Sequence, residues 1–232
     1  MEFKDVVRRR RMVRNYQPDK PVPDEVVDRL LRHAVRAPSA GFAQGWGFLV
    51  LREKEDLERF WSVTIPPEAA PVYETMRNAP LVVVPHSSMV EYQQAAQWYA
   101  ASREEQNKAW LEQAEKIRDE DPEAVDGWSD SDDEADVVPM WHVDTGFATL
   151  MMLLTSVDEG LGAAFFGFIP NRIAAYRAEF GVPDHHVPLG GLTIGYRADD
   201  SSLPTFRLRE RRPLSEVVHH GRWGSSNPQD RR

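Results

Sequence analysis

Residues 37–51 read APSAGFAQGWGFLVL, a stretch that passes from a turn of small residues into an apolar run beginning near Trp46. The apolar run predicts a buried strand over 46–51. Pro38 ends the helical pattern before it, and small side chains over 38–45 would let backbone N–H groups approach a flat or anionic ligand closely. We therefore begin with the hypothesis that this turn forms one wall of a ligand site.

Two arginine clusters lie far apart on either side of this stretch. Residues 8–16 read RRRRMVRNY, and residues 208–213 read LRERRP. Guanidinium groups bind phosphate oxygens in bidentate fashion, so the clusters suggest one anionic ligand held from several directions. The first cluster also ends a predicted helix over 3–11, where cations complement the helix dipole. An anionic polymer is a further possible ligand, so these interpretations stay open at this point.

The rest of the pattern predicts a protein with both helices and strands. Apolar periodicity predicts helices over 24–36, 56–62, 140–159 and 170–181, and strands over 81–86, 163–169 and 188–196. On the first helix (3–11) we expect an apolar face of Phe3, Val6 and Val7. The helix over 140–159 is apolar on nearly every side, so we expect it to be central or to lie at a subunit interface.

The chain changes character between the strand at 81–86 and the apolar helix. Residues 91–118 have the pattern of a long polar helix that carries several aromatic side chains. Residues 119–136 contain ten acidic residues and no basic one. Such a composition is typical of a solvated surface loop, and the alternative is a lid over a site.

Composition limits the classes of function. The net charge of −9 argues against general binding of nucleic acids, and the lack of cysteine excludes thiolate sites and disulfides. We expect no metal site, because His142 and Asp144 lie two apart and do not share a helix face. No apolar stretch approaches the roughly 18 residues that span a bilayer, and the N-terminus lacks a signal-peptide core, so we expect a cytoplasmic protein without membrane contact.

With these residues laid out, the chain resembles the FMN-dependent nitroreductase family. Four motifs carry the resemblance in the family's order: an arginine motif over 10–16, Ala-Pro-Ser at 37–39 with Gln-x-Trp at 44–46, a Gly-Leu-Gly turn, strand and glycine over 160–167, and a basic pair before proline at 209–213. The resemblance implies an α+β fold of three α-β-α layers with a mixed, mainly antiparallel sheet. It further implies an intertwined homodimer in which the C-terminal arms are exchanged.

The resemblance also assigns roles to individual residues. FMN would be bound by Arg10, Arg11, Met12, Arg14, Pro38, Ser39, Ala40, Phe165, Phe166, Gly167, Arg209 and Arg211. Arg209 and Arg211 would come from the partner subunit, and the backbone at 165–167 would lie near flavin N5. The substrate candidates are Phe42, Tyr92, Trp98 and Tyr99. No side chain is assigned as a catalytic acid or base, since the flavin carries the chemistry.

Three departures from the family pattern bear on the cofactor and the substrate. Met12 replaces a serine whose hydroxyl would contact the flavin, so only its backbone N–H could serve. Phe42 stands where many members have asparagine, and Phe166 occupies a position that is often acidic. Both phenylalanines would make the site more apolar. We therefore expect a small aromatic or otherwise hydrophobic substrate.

These expectations combine into a single FMN-binding domain over 1–224, with a lid or insert at 87–139 and a flexible tail at 225–232. The implied activity is a ping-pong transfer of hydride from NADH or NADPH through FMN to a nitroaromatic, quinone or similar acceptor. Reductive dehalogenation and oxidative desaturation are alternatives on the same fold. An alternative of another class is a flavin-storing or flavin-sensing protein with little turnover.

Overall fold

The structure is a computed structural model, and it describes residues 1–97, 139–198 and 210–225. Several predicted features lie outside these residues: Trp98, Tyr99, Arg209, the acidic stretch at 119–136 and most of the tail at 225–232. The chain divides into two compact units, Met1–Ala198 and Asp199–Arg232. The division of the chain into domain, insert and tail stays a prediction.

Five strands form one sheet in the first unit. They are β1 (Trp46–Leu51), β2 (Leu81–Ser88), β3 (Gly162–Phe166), β4 (His186–Pro188) and β5 (Gly191–Gly195). The order is β1-β2-β5-β3, and β4 pairs with β2 beyond the end of β5. All four ladders are antiparallel, whereas the single bridge from Met12 to Ala163 is parallel. The mixed, mainly antiparallel sheet is thus confirmed.

The helices of the first unit lie around this sheet, and the short helix Ala70–Tyr73 among them was not predicted. The first unit contains α1 (Phe3–Arg9), α2 (Asp24–Ala34), α3 (Lys54–Thr64), α4 (Ala70–Tyr73), α5 (helical at 90–97), α6 (Met140–Asp158) and α7 (Ile173–Phe180). The second unit contains α8 (Leu214–Val217). Within the described ranges, no helix is both long and apolar enough to cross a membrane.

Strand β2 separates two apolar clusters because its side chains alternate between the faces of the sheet. Leu81 and Val83 belong to the first cluster, together with buried residues of α2 and α6. Val82 and Val84 belong to the second cluster, which contains Phe60 and Trp61 of α3 and Tyr176 of α7. Helices therefore cover both faces of the sheet, and the three-layer α-β-α arrangement is confirmed.

Glycines fix two turns next to the site. Gly160 ends α6 with φ +72°, a left-handed conformation that glycine adopts without strain, as its position predicts. The predicted strand over 188–196 is interrupted at Gly190, which has φ +154°. A Cβ there would lie 2.3 Å from the carbonyl oxygen of Phe166. The close approach of β3 explains why β4 and β5 are separate strands.

Several large apolar side chains near the helices are exposed in the single chain. On α1 only Val6 is buried, whereas Phe3 and Val7 are 72% and 51% exposed in the single chain. Val35, directly after α2, is exposed as well. In the second unit, Leu214 and Trp223 are 73% and 86% exposed.

Candidate functional site

Residues 10–14, which we call the arginine segment, run beside strand β3. Met12 forms a parallel bridge with Ala163, and the backbone N–H of Val13 donates to the Ala163 carbonyl at 2.9 Å. The backbone N–H of Phe165 donates to the Met12 sulfur at 3.4 Å. Gly162 leaves room for this approach, since a Cβ there would lie 2.6 Å from Val13 Cγ1. The structure thus brings together the first and third motifs of the resemblance.

Tyr16, two residues after this segment, connects the segment to strand β5 by hydrogen bonds. Its hydroxyl lies 2.5 Å from the Val13 carbonyl oxygen, 3.0 Å from the Thr193 carbonyl oxygen and 2.9 Å from Thr193 Oγ1. The side chain is fully buried, and burial raises the pKa of Tyr16 well above its usual range. The phenol therefore stays neutral and serves as a fixed polar anchor in the core.

Arg14 is one of the partly buried cations of the arginine segment. Burial lowers the pKa of its guanidinium, and Tyr16 and Tyr73 lie close enough to influence it. The Thr75 hydroxyl donates to the Arg14 carbonyl at 2.8 Å, which fixes the backbone at this position. An anion beside Arg14 would favour its charged form and offset the cost of burial, so the position suits an anionic ligand.

Arg11 lines a cavity that Arg14 does not line. This cavity has a volume of about 200 Å³, and Arg9, Arg11, Val13 and Arg197 are among the residues that line it. Arg10, Met12 and Arg14 do not line it, as expected where side chains alternate along an extended backbone. The structure therefore groups Arg11 with Arg197, a residue that the sequence analysis did not select. The bridge between Tyr16 and Arg197 places Arg197 there.

Residues 39–44, which we call the 39–44 turn, connect α2 to β1. Ser39 Oγ accepts a hydrogen bond from the backbone N–H of Gln44 at 3.1 Å and so closes the turn. The backbone N–H of Ala40 donates to Asp144 of α6 at 2.7 Å. Pro38 is exposed, and the ring of Phe42 is 76% exposed. Of the predicted substrate residues, Phe42 presents a free aromatic surface in the single chain.

The two phenylalanines of β3 face opposite sides of the sheet. Phe165 packs against the first cluster, together with Met12. The ring of Phe166 stacks on Trp61 with a centroid distance of 5.6 Å and also contacts Tyr73. The Phe166 ring thus lies inside the aromatic group on the α3 face, and the expectation that it lines an apolar substrate site has no support in these contacts. Gly167 is exposed just after the strand.

The remaining predicted residues are only partly described. The Tyr92 hydroxyl donates to Asp144 at 2.5 Å, and its pKa is raised first by burial and then by this carboxylate. Trp98, Tyr99 and Arg209 lie outside the described residues. Arg211 is exposed in the second unit. The sequence analysis considered Asp144 only as a metal ligand, and its two partners are too far away in the sequence to be predicted.

Histidines cluster where β4 meets β2. The His86 ring lies 3.0 Å from the Tyr176 hydroxyl, and burial, together with nearby His186, lowers the pKa of His86 to about 4. His142 Nδ1 lies 2.6 Å from the Ser87 hydroxyl, and burial lowers its pKa too. In the described parts of the chain, no three His, Asp or Glu side chains are arranged to hold a metal ion. The lowered pKa values favour neutral rings at His86 and His142, and both rings are hydrogen-bonded.

Known proteins resemble this chain over most of its length. Residues 7–196 match the sequence profile of the Nitroreductase family. A protein of Methanothermobacter thermautotrophicus, provisionally named NADH dehydrogenase/NAD(P)H nitroreductase, is 25% identical over 202 residues, which are 86% of this chain and 80% of that protein. An NADH dehydrogenase of Thermus thermophilus is 27% identical, over 94% of this chain and 95% of its own length.

A solved structure shows the same fold. It is a protein from Exiguobacterium sibiricum, crystallised in complex with FMN, and it superposes with a TM-score of 0.62 at 21% identity. The superposition covers 94% of this chain and 96% of the other. Its matched region takes in both the sheet and the flanking helices, so the α+β fold expected from the resemblance is confirmed.

Proposed function

The chain belongs to the nitroreductase family, and from this premise we propose that it is an FMN-dependent oxidoreductase that transfers electrons from NADH or NADPH to an electron-poor aromatic acceptor. The FMN complex of the Exiguobacterium protein and the names of the relatives support the choice of cofactor and reductant. The observation in this chain that carries the proposal is the attachment of the arginine segment to β3 through Met12 and Phe165.

The described residues fit an anionic, flat cofactor. Arg14 is a partly buried cation whose pKa an adjacent anion would raise. Arg10 precedes it by four residues and is half-buried. In our proposal these two arginines bind the phosphate and ribityl side of FMN, and the backbone of Met12 contributes its N–H. The Met12 sulfur accepts the backbone N–H of Phe165, so in our proposal the Met12 side chain packs against β3 and does not contact the cofactor.

The other edge of the cofactor would meet the 39–44 turn and the end of β3. Pro38, Ser39 and Ala40 would lie along the ring, and the backbone of Phe166 and Gly167 would face its far edge. The backbone N–H of Phe165 already donates to Met12, so we assign Phe165 a packing role instead. Bound FMN supplies two-electron transfer between a nicotinamide and an acceptor.

We propose that the functional form is a homodimer. Phe3, Val7, Phe147 and Leu150 of α1 and α6 are all at least 42% exposed in the single chain. Large exposed apolar patches mark interaction sites, and a second copy of the chain would cover this one. In such a dimer the C-terminal arm would bring Arg209 and Arg211 to the flavin phosphate of the other subunit, and the exposed Leu214 and Trp223 would be buried there.

The exposed ring of Phe42 favours an aromatic acceptor. An aromatic ring beside the cofactor offers stacking contacts to a flat substrate. The ring of Phe166 is engaged with Trp61, so in our proposal Phe42 supplies the apolar character of the site within the described residues. Phe42→Ala should raise the KM for a quinone severalfold and leave the KM for the nicotinamide substrate nearly unchanged.

Steady-state kinetics test the proposed reaction. Initial rates would be measured with NADH or NADPH and a quinone or nitroaromatic, each varied at several fixed concentrations of the other. We expect parallel double-reciprocal lines, because one substrate leaves before the next binds. Intersecting lines would contradict the ping-pong scheme, and the absence of turnover in FMN-loaded protein would favour a flavin-storing or flavin-sensing role.

A further inference from the structure

Asp144 is a buried carboxylate in the first turns of α6 that joins two other elements. Its side chain is 2% exposed. The same oxygen, Oδ2, accepts the backbone N–H of Ala40 at 2.7 Å and the hydroxyl of Tyr92 at 2.5 Å. A buried carboxylate is costly unless it receives hydrogen bonds, so both donors are needed to keep it in place. One donor belongs to the 39–44 turn and the other to α5.

The 39–44 turn has a conformation that its sequence does not favour. Gly41, Phe42 and Gln44 have φ values of +58°, +53° and +55°. Glycine tolerates this region, but an aromatic residue or a glutamine is strained there. Such a shape persists only where the surrounding structure holds it. Two hydrogen bonds fasten the backbone N–H groups of the turn to side chains, that of Ala40 to Asp144 and that of Gln44 to Ser39.

Tyr92 contacts the same turn by a second route. A Cβ on Gly45 would lie 2.6 Å from Tyr92 Cε2, so the phenol ring lies directly against the backbone at the exit of the turn. The ring also meets Trp141 of α6 edge to face at 6.1 Å. Tyr92 thus touches the turn through its ring and touches Asp144 through its hydroxyl. The position of α5 and the shape of the turn are therefore linked.

We propose that Asp144 is a positioning residue: it holds the 39–44 turn in its strained shape and couples that shape to α5 through Tyr92. The inference rests on the proposed function insofar as Ser39 and Ala40 face the flavin. In this proposal Asp144 acts without a contact of its own to the cofactor or a substrate. Its effect on the reaction comes through the backbone of the turn, and Tyr92 acts as a structural link between helix and turn.

Hydrogen exchange of the flavin-free protein tests the coupling without any catalytic readout. We would compare Tyr92→Phe with the wild type in peptides covering 38–46 and 89–97. Loss of the hydroxyl should speed exchange in both peptides, by about tenfold at the Ala40 amide, as expected for the loss of a hydrogen bond to a charged group. Tyr73→Phe, a phenol outside this network, should leave both peptides unchanged. Unchanged exchange at 38–46 in Tyr92→Phe would overturn the coupling.

The flavin-loaded protein tests the positioning role. Asp144→Ala should weaken FMN binding by about tenfold and shift the visible band of the bound flavin. Asp144→Asn keeps an acceptor oxygen and should restore most of both properties. A lower unfolding midpoint with an unchanged FMN affinity and an unshifted band would overturn the positioning role. Coupled exchange in a protein that binds no FMN would contradict the proposed function and support the link between turn and helix.

Discussion

The sulfur of Met12 accepts a hydrogen bond from the backbone N–H of Phe165 at 3.4 Å, and this contact joins the arginine segment to strand β3. At this position the family pattern has a serine. The thioether packs against both apolar clusters, and its sulfur is the acceptor for this N–H of β3. The departure from the family thus changes how the site is supported.

Met12→Leu should therefore destabilise the protein. Leucine has a similar volume but cannot accept the Phe165 N–H, so the loss should be about 1 kcal/mol in the free energy of unfolding. Urea unfolding followed by tryptophan fluorescence would measure it. Met151→Leu, at a half-buried methionine of α6, serves as the matched control. Equal losses in the two variants would show that the sulfur contact contributes nothing.

Arg14→Gln should weaken FMN binding by about 10- to 100-fold, because hydrogen bonds to a charged group contribute about 1.5–3 kcal/mol each. Arg14→Lys keeps the charge but loses the planar fork, and its loss should be smaller. Quenching of flavin fluorescence on addition of apoprotein gives the affinities. Arg36→Gln, at an exposed arginine just after α2, should stay within twofold of the wild type. If Arg14→Gln bound FMN as tightly as Arg36→Gln, Arg14 would not bind the phosphate.

Tyr16→Phe should cost about 1–3 kcal/mol of stability, the usual penalty for leaving buried polar groups unsatisfied. The phenol oxygen lies within 3.0 Å of three oxygens: the carbonyl oxygens of Val13 and Thr193 and the hydroxyl oxygen of Thr193. Thermal or urea unfolding would measure the change. Tyr196→Phe, at a half-buried tyrosine packed against the first cluster, should cost clearly less. A loss no larger than that of the control would mean that the hydroxyl does not anchor the segment.

His86 should make the stability depend on pH. Its pKa is about 4 in the folded protein and about 6.5 in an unfolded chain, so the unfolded chain binds more protons between these values. The contribution of His86 to the free energy of unfolding is therefore fully present above pH 6.5. It is lost as the pH drops toward 4, which lowers the free energy of unfolding by about 3 kcal/mol. His86→Gln should flatten the curve of unfolding free energy against pH in this window. His220→Gln, at an exposed histidine, should leave the curve as steep as in the wild type.

Much of the fold could be predicted because its elements have a strong local pattern. The apolar run 46–51 is strand β1, and the continuous apolar stretch that ends at Gly160 is helix α6. The strand over 188–196 was only partly right. The break at Gly190 depends on the approach of Phe166 from β3, and a contact between distant strands leaves no mark on the local pattern.

The residues of the candidate site could be predicted only where they belong to a motif of the family resemblance. The arginine segment and β3 meet as the resemblance implies, through Met12 and Phe165. The orientation of Phe166 could not be predicted, because both faces of β3 are apolar and alternation does not distinguish them. The role of Asp144 depends on partners 104 and 52 residues away in the sequence. Its burial was foreseeable, but its partners were not.

A visible absorption spectrum of the purified protein, followed by anaerobic addition of NADH and then NADPH, tests the central claim most directly. We predict a flavin spectrum, either as purified or after reconstitution with FMN, that bleaches with at least one of the two nucleotides. The nucleotide that bleaches it faster is the preferred reductant. A colourless protein that cannot be reconstituted with FMN would contradict the proposed function.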